Sequence, residues 1–211
     1  MAQILKKSVK ENIILAAKKE FLEKGLKDAS LRNIAKGANI TVGNLYRYFA
    51  NKDDIIDTIV NPPLFELNEL VRKLTNEKIN LQIKVENVGL SIDDISEILD
   101  VMSYELSNLK RRYNAEIKIL IKYSEKAELL KKWFFNLIEI MIREKDSEQY
   151  FNSDFIDVFS KTLCTSIFSG LSECLLSDNL SFEEEVQLMR VFFNSFLQMM
   201  KTDFTEKERQ K

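Results

Sequence analysis

"ITVGNLYRYFANKDDI" (residues 40–55) decides how this chain reads. Leu45 and Phe49 stand four apart, so one face of a helix here can be buried. The remaining positions hold Gly43, Asn44, Tyr46, Arg47 and Tyr48, not the Glu, Lys and Ala that a merely solvated face prefers. With Leu45 and Phe49 inward, the first turn of a helix of about three turns projects Val42, Gly43 and Asn44. Gly43 lets another backbone come close, Asn44 can read a base edge, and Tyr46, Tyr48 and Lys52 can hold phosphates. The spacing predicts a helix front built for duplex edges.

The flanking residues supply the frame. Ser8 and Glu11 form a capping-box pattern before apolar Ile13, Ile14, Ala17 and Phe21, and Gly25 follows Lys24 as a stop. Ser30 caps a second helix with Leu31, Ile34, Ala35 and Ala38 on one face. In "GANIT" (37–41), Asn39 suits a left-handed turn position and Thr41 can cap the next helix. Asn51 caps a fourth helix whose first turn carries Asp53 and Asp54, as the helix dipole favours. A helix, a short turn and a second helix, braced by a longer first one, is a helix-turn-helix arrangement.

"ILAAKKEFLEKG" (14–25) and "SLRNIAKGANITVGNLYRYFANKDDI" (30–55) resemble the TetR-type transcriptional regulators, over roughly residues 8–57 and not beyond. The resemblance implies a homodimer whose two heads occupy successive major grooves of a palindromic operator. It places Ser30, Tyr46 and Lys52 on phosphates, and Arg32, Val42, Gly43, Asn44, Arg47 and Tyr48 at or near bases, with Thr41 at the helix start. Two departures stand out. Asn39 takes the place of the usual turn glycine, and Val42 replaces a commonly polar residue, so readout there is partly apolar, as toward a thymine methyl.

Composition agrees with a helical protein. Of 211 residues only 5 are Gly and 2 Pro, too few for the turns that strands need. Residues 1–52 hold eleven Lys and Arg against four Asp and Glu, a net +7, whereas the remaining 20 basic and 29 acidic residues give −9. A basic head on an acidic body points to a polyanion met by the head alone. Cys164 and Cys174, ten apart on one helical pattern, are too distant for a disulfide and read as reduced core thiols. No signal-peptide core opens the chain and "WFFNLIEIMI" (133–142) is short of a membrane span, so a cytoplasmic protein with no membrane partner is expected.

There is no histidine, which excludes Glu-x-x-His metal pairs, imidazole bases and Ser-His or Cys-His nucleophiles. No Gly-rich phosphate loop occurs, and no enzyme activity, cofactor or metal is expected. A helical-bundle enzyme stays as a remote alternative. An activator, or a ligand-independent DNA-binding protein of the same fold, stays as a nearer one.

The expected fold is all-α: a three-helix DNA-binding head over 1–61, a larger helical effector-binding and dimerisation domain over 62–205, and a polar tail over 206–211. Asn61-Pro62-Pro63 is expected to break the fourth helix. Residues 64–77 read as helix. Residues 79–88 alternate like a strand, with continued helix as the alternative. Helices are expected over 92–111, 113–123, 126–145, 153–177 and 182–202, with Ser181 capping the last.

The last two are apolar on more than one side. A two-fold four-helix interface is the reading, through Phe159, Leu163, Ser166, Ser169, Gly170, Val186, Met189, Phe193 and Phe196. Met102, Tyr104, Tyr123, Trp133, Phe134, Met141 and Phe168 are candidates for a cavity taking a small apolar or amphiphilic effector. The charge runs "LKRRYN" (109–114) and "FEEEV" (182–186) read as solvated faces. Together these features suggest a ligand-responsive regulator, a repressor released by its effector.

Overall fold

A computed structural model of the chain describes residues 2–84, 92–128, 131, 132 and 153–205. Among the described residues lie the helices α1 (Ala2–Asp28), α2 (Leu31–Gly37), α3 (Val42–Leu45), α4 (Lys52–Lys84), α5 (Ile92–Arg112), α6 (Asn114–Tyr123), α7 (Ser153–Leu176) and α8 (Phe182–Thr205). No strand occurs among the described residues, and no helix among them is long and apolar enough to cross a membrane.

The chain divides into two compact units: Met1–Glu66 with Arg112–Ala127, and Leu67–Arg111 with Glu128–Lys211. In the first, α1 packs on α2 and α6, and α2 on α3. Ile13, Ala17, Phe21, Ile34, Leu45, Ile55, Ile59 and Ile119 are its buried anchors. Gly25 ends the straight run of α1 with φ 73 and ψ 168, a left-handed conformation that favours glycine. Segment 112–127 is tied into this unit by polar contacts: Glu116 pairs with Lys18, Tyr113 donates to Glu66 at 2.6 Å, and Lys126 reaches Asp57 at 2.9 Å.

Several local expectations change. α1 begins at Ala2, so Ser8 lies inside the helix and does not cap it. Pro62 and Pro63 do not interrupt α4. Each removes a backbone donor at a cost of about 3 kcal/mol, but Ile55, Ile56, Ile59 and Val60 are buried on that helix, each contributing about 1.5–3 kcal/mol. Residues 79–84 are helical too: extending a formed helix costs less than starting a strand that has nothing to pair with. Residues 85–88 of that alternating stretch lie outside the described residues.

In the second unit, Met102 and Leu106 of α5, Ile156, Leu163, Cys164, Ile167, Leu171 and Cys174 of α7, and Met189 and Phe193 of α8 form one apolar cluster. The helices α7 and α8 approach closely at Gly170, where a Cβ would lie 2.3 Å from the Phe192 ring. The two charge runs do not both stay in water. Lys110 (1% exposed) donates to Glu185 (6% exposed) at 2.5 Å, to Ser177 Oγ at 3.0 Å and to the Cys174 carbonyl at 3.3 Å. Each run gives the buried partner that makes the other's burial tolerable.

Candidate nucleic-acid interface

The head is assembled by small polar side chains at helix starts. Glu20 of α1 accepts from Ser30 N at 3.2 Å and from Asn33 Nδ2 at 2.8 Å, pinning the start of α2. Ser30 Oγ accepts from Asn33 N at 3.1 Å, and Thr41 Oγ1 accepts from Asn44 N at 3.1 Å. Each hydroxyl thereby closes an open helix end and keeps its own O–H to donate outward, for instance to a phosphate oxygen. Between the helices Asn39 takes φ 57, and Ile40 N bonds Ala35 O at 3.0 Å, closing the turn.

The helix after that turn is shorter than three turns. Regular α geometry covers Val42–Leu45, and the backbone then tightens: Arg47 N bonds Asn44 O at 3.1 Å and Tyr48 N bonds Leu45 O at 2.9 Å. Four residues cannot hold a helix in isolation, so anchoring does it. Leu45 is 0% and Phe49 2% exposed, and the Lys10 ammonium lies 5.4 Å over the Phe49 ring.

The opposite side is open. Arg32, Thr41, Gly43, Tyr46 and Arg47 are exposed, and Val42, Asn44 and Tyr48 half-buried. A Cβ built on Gly43 meets nothing within 4 Å. Lys52, the first residue of α4, donates to the carbonyls of Leu26 and Ala29 at 2.9 and 3.0 Å, so its ammonium fastens the end of α1 with one N–H to spare. Asn51 caps α4 through Asp54 N at 2.9 Å, and Asp54 Oδ2 accepts from Ala50 N at 3.0 Å. Sequence reasoning missed Glu20, Lys10 and Glu116, whose partners lie 10, 39 and 98 positions away.

Four of the seven residues read as effector-binding lie among the described residues. Met102 is core, Phe168 packs beside that core, and Tyr104 is 49% exposed, edge-on to Phe182 at 5.4 Å. Tyr123 belongs to the first unit. Trp133, Phe134 and Met141 lie outside the described residues. Of the residues read as dimerisation contacts, Leu163, Val186, Met189 and Phe193 are buried within their own unit, with Phe159 and Phe196 packed alongside. Gly170 receives Phe192 of the same chain, and Ser166 and Ser169 are exposed.

Fold and exposed face together define a helix-turn-helix protein with a helical second unit. Residues 13–59 match the family described as bacterial regulatory proteins, tetR family. The HTH-type transcriptional repressor BepR of Brucella suis biovar 1 (strain 1330) is 37% identical over 62 residues, which is 29% of this chain and 30% of that protein. The match thus spans less than a third of that relative's length. Among solved structures, a TetR-like transcriptional regulator from Rhodococcus sp. RHA1 superposes with a TM-score of 0.56 at 14% identity, over 87% of this chain and 92% of that one. NalD, the secondary repressor of the MexAB-OprM multidrug efflux pump in Pseudomonas aeruginosa, superposes at 0.52 and 19% identity, over 89% and 96%. These two show the fold alone. The helix-turn-helix head is thus of the TetR type.

Proposed function

We propose that the chain is a transcriptional repressor that binds a palindromic operator as a homodimer and is released by a small apolar or amphiphilic effector. One observation carries the reading: a short helix with Leu45 and Phe49 fully buried behind it and Gly43, Tyr46 and Arg47 exposed in front, on a head of net charge +7 over residues 1–52. The family of the head and the repressor relatives support it. Ser30, Tyr46 and Lys52 are assigned to phosphates, and Arg32, Val42, Gly43, Asn44, Arg47 and Tyr48 to base edges, with Thr41 at the helix start.

The dimer reading now rests on exposed stripes. On α7, Phe155, Val158, Ser166 and Ser169 share one exposed helical face, and on α8 Leu188 and Val191 do. On α7, apolar residues at one end of the stripe and small ones at the other suit a second copy of the same pair across a two-fold axis. The effector is assigned to the second unit. There Ser103, Ser107 and Ser160 are fully buried, and among the described residues Ser160 Oγ has no hydrogen-bond partner, nor does Glu185 Oε2. Orphaned buried polar atoms call for an explanation, and a bound donor supplies one. Release then follows by linkage: an effector that lowers operator affinity a hundredfold needs about 2.7 kcal/mol of differential binding between the two dimer forms.

The test is a pair of variants titrated against specific and random duplexes over a salt series. Arg47→Ala should flatten the preference between them. Lys52→Ala should weaken both alike and reduce the slope of affinity against salt by about one. Because Lys52 also holds two carbonyls, its titration is made where the variant is fully folded. Equal loss on both duplexes in both variants refutes the division of roles.

A further inference from the structure

We infer that the first unit carries a binding site of its own for a small amphiphilic organic anion, in the cavity around Gly25. This goes beyond the effector assigned above to the second unit. The cavity has a volume of about 530 Å³ and is lined by Lys24, Gly25, Leu26, Lys27, Lys52, Asp53 and Tyr123. That volume falls within the roughly 300–1,000 Å³ of small-molecule pockets.

Its chemistry is specific. Leu26, the Tyr123 ring and the lysine methylenes make an apolar floor. The lining residues include three lysines against the single acid Asp53. The Lys52 ammonium is bound to the carbonyls of Leu26 and Ala29, which fixes a positive charge in the wall. Lys24 and Lys27 are exposed and have no ion-pair partner among the described residues, so both remain free to meet a carboxylate or sulfonate. The Tyr123 hydroxyl is also without a hydrogen-bond partner among the described residues, a donor for the same anion.

Gly25 keeps the space open. At φ +73 it turns the chain in a conformation other residues resist, and a Cβ there would meet Tyr123 Oη at 3.5 Å, where both residues line the cavity. The apolar floor requires an apolar body on the ligand, and the excess of cations requires an anionic head. An aromatic carboxylate meets both demands.

The experiment uses the whole chain with ¹⁵N-labelled glycine, whose 5 amides separate well, and naphthalene-2-carboxylate as the probe. The expected result is a saturable shift of the Gly25 amide with Gly43 and Gly170 unmoved. Lys24→Gln/Lys27→Gln, both exposed, should fold normally and bind about tenfold more weakly, and the neutral naphthalene-2-methanol should bind about tenfold more weakly to the unaltered chain. No shift at Gly25 at millimolar probe overturns the proposal. So does equal binding of acid and alcohol, or an undiminished affinity in the double variant. None of these outcomes bears on DNA binding, so the proposal fails independently of the repressor reading.

Discussion

Gly43→Ala separates a glycine kept for folding from one kept for a partner. Gly43 lies on α3 with φ outside the left-handed region, and an added Cβ finds no atom within 4 Å. Alanine therefore brings no strain and no clash, and removing glycine from a helix gains up to about 1 kcal/mol. For a chain of this length that raises the melting temperature by roughly 2–4 °C at most. In the proposed duplex complex the same methyl would stand where a groove wall or sugar approaches. Overpacking an interface by a methyl costs about 1–3 kcal/mol, a complex weakened roughly 5- to 150-fold. Thermal unfolding followed by circular dichroism, beside fluorescence anisotropy on a preferred duplex, reads both effects. A variant that melts well below the parent while binding the duplex equally well would show that Gly43 serves the fold, and the reasoning would fail.

Three further outcomes follow from the second unit. Lys110→Met leaves Glu185 charged and buried without its cation, so urea unfolding should show a loss of about 3–5 kcal/mol, most of it recovered in Lys110→Met/Glu185→Leu. A double variant as unstable as the single one would mean that water reaches the pair. Gly170→Ala should lower the melting temperature, because pushing a Cβ into Phe192 costs about 1–3 kcal/mol against a helix-propensity gain of about 1 kcal/mol; a rise would show that the ring moves aside freely. Burial pushes the thiols of Cys164 and Cys174 up from their ordinary range, so Ellman's reagent should titrate both only as the protein unfolds, and rapid reaction of the native chain would contradict their placement.

What the sequence made legible is local chemistry. Ser30, Thr41, Asn51 and Ser181 cap the helices they precede because a side-chain oxygen next to open N–H groups is a short-range preference. Asn39 and Gly25 turn left-handed where each stands between helical patterns. Leu45 and Phe49 are buried as their spacing requires. What stayed hidden depends on distant partners. Lys110 and Glu185 are 75 positions apart, and each looks solvated within its own run. The same holds for segment 112–127, which joins the first unit through Glu116, Tyr113 and Lys126. Pro62-Pro63 and the alternation at 79–84 are local signals overridden by a helix already nucleated and buried along its first turns. The apolar stripes of α7 and α8 were visible, but which of them meets a neighbour within the chain was not, since periodicity gives spacing without saying what lies opposite.

The most direct test of a paired, exposed recognition helix is selection of duplexes by the purified protein from a random pool, followed by sequencing. The account predicts enriched sites made of two inverted half-sites whose centres lie about one helical turn, or 34 Å, or a small multiple of it apart. A pool that emerges unenriched, or that yields a single motif without two-fold symmetry, would contradict it.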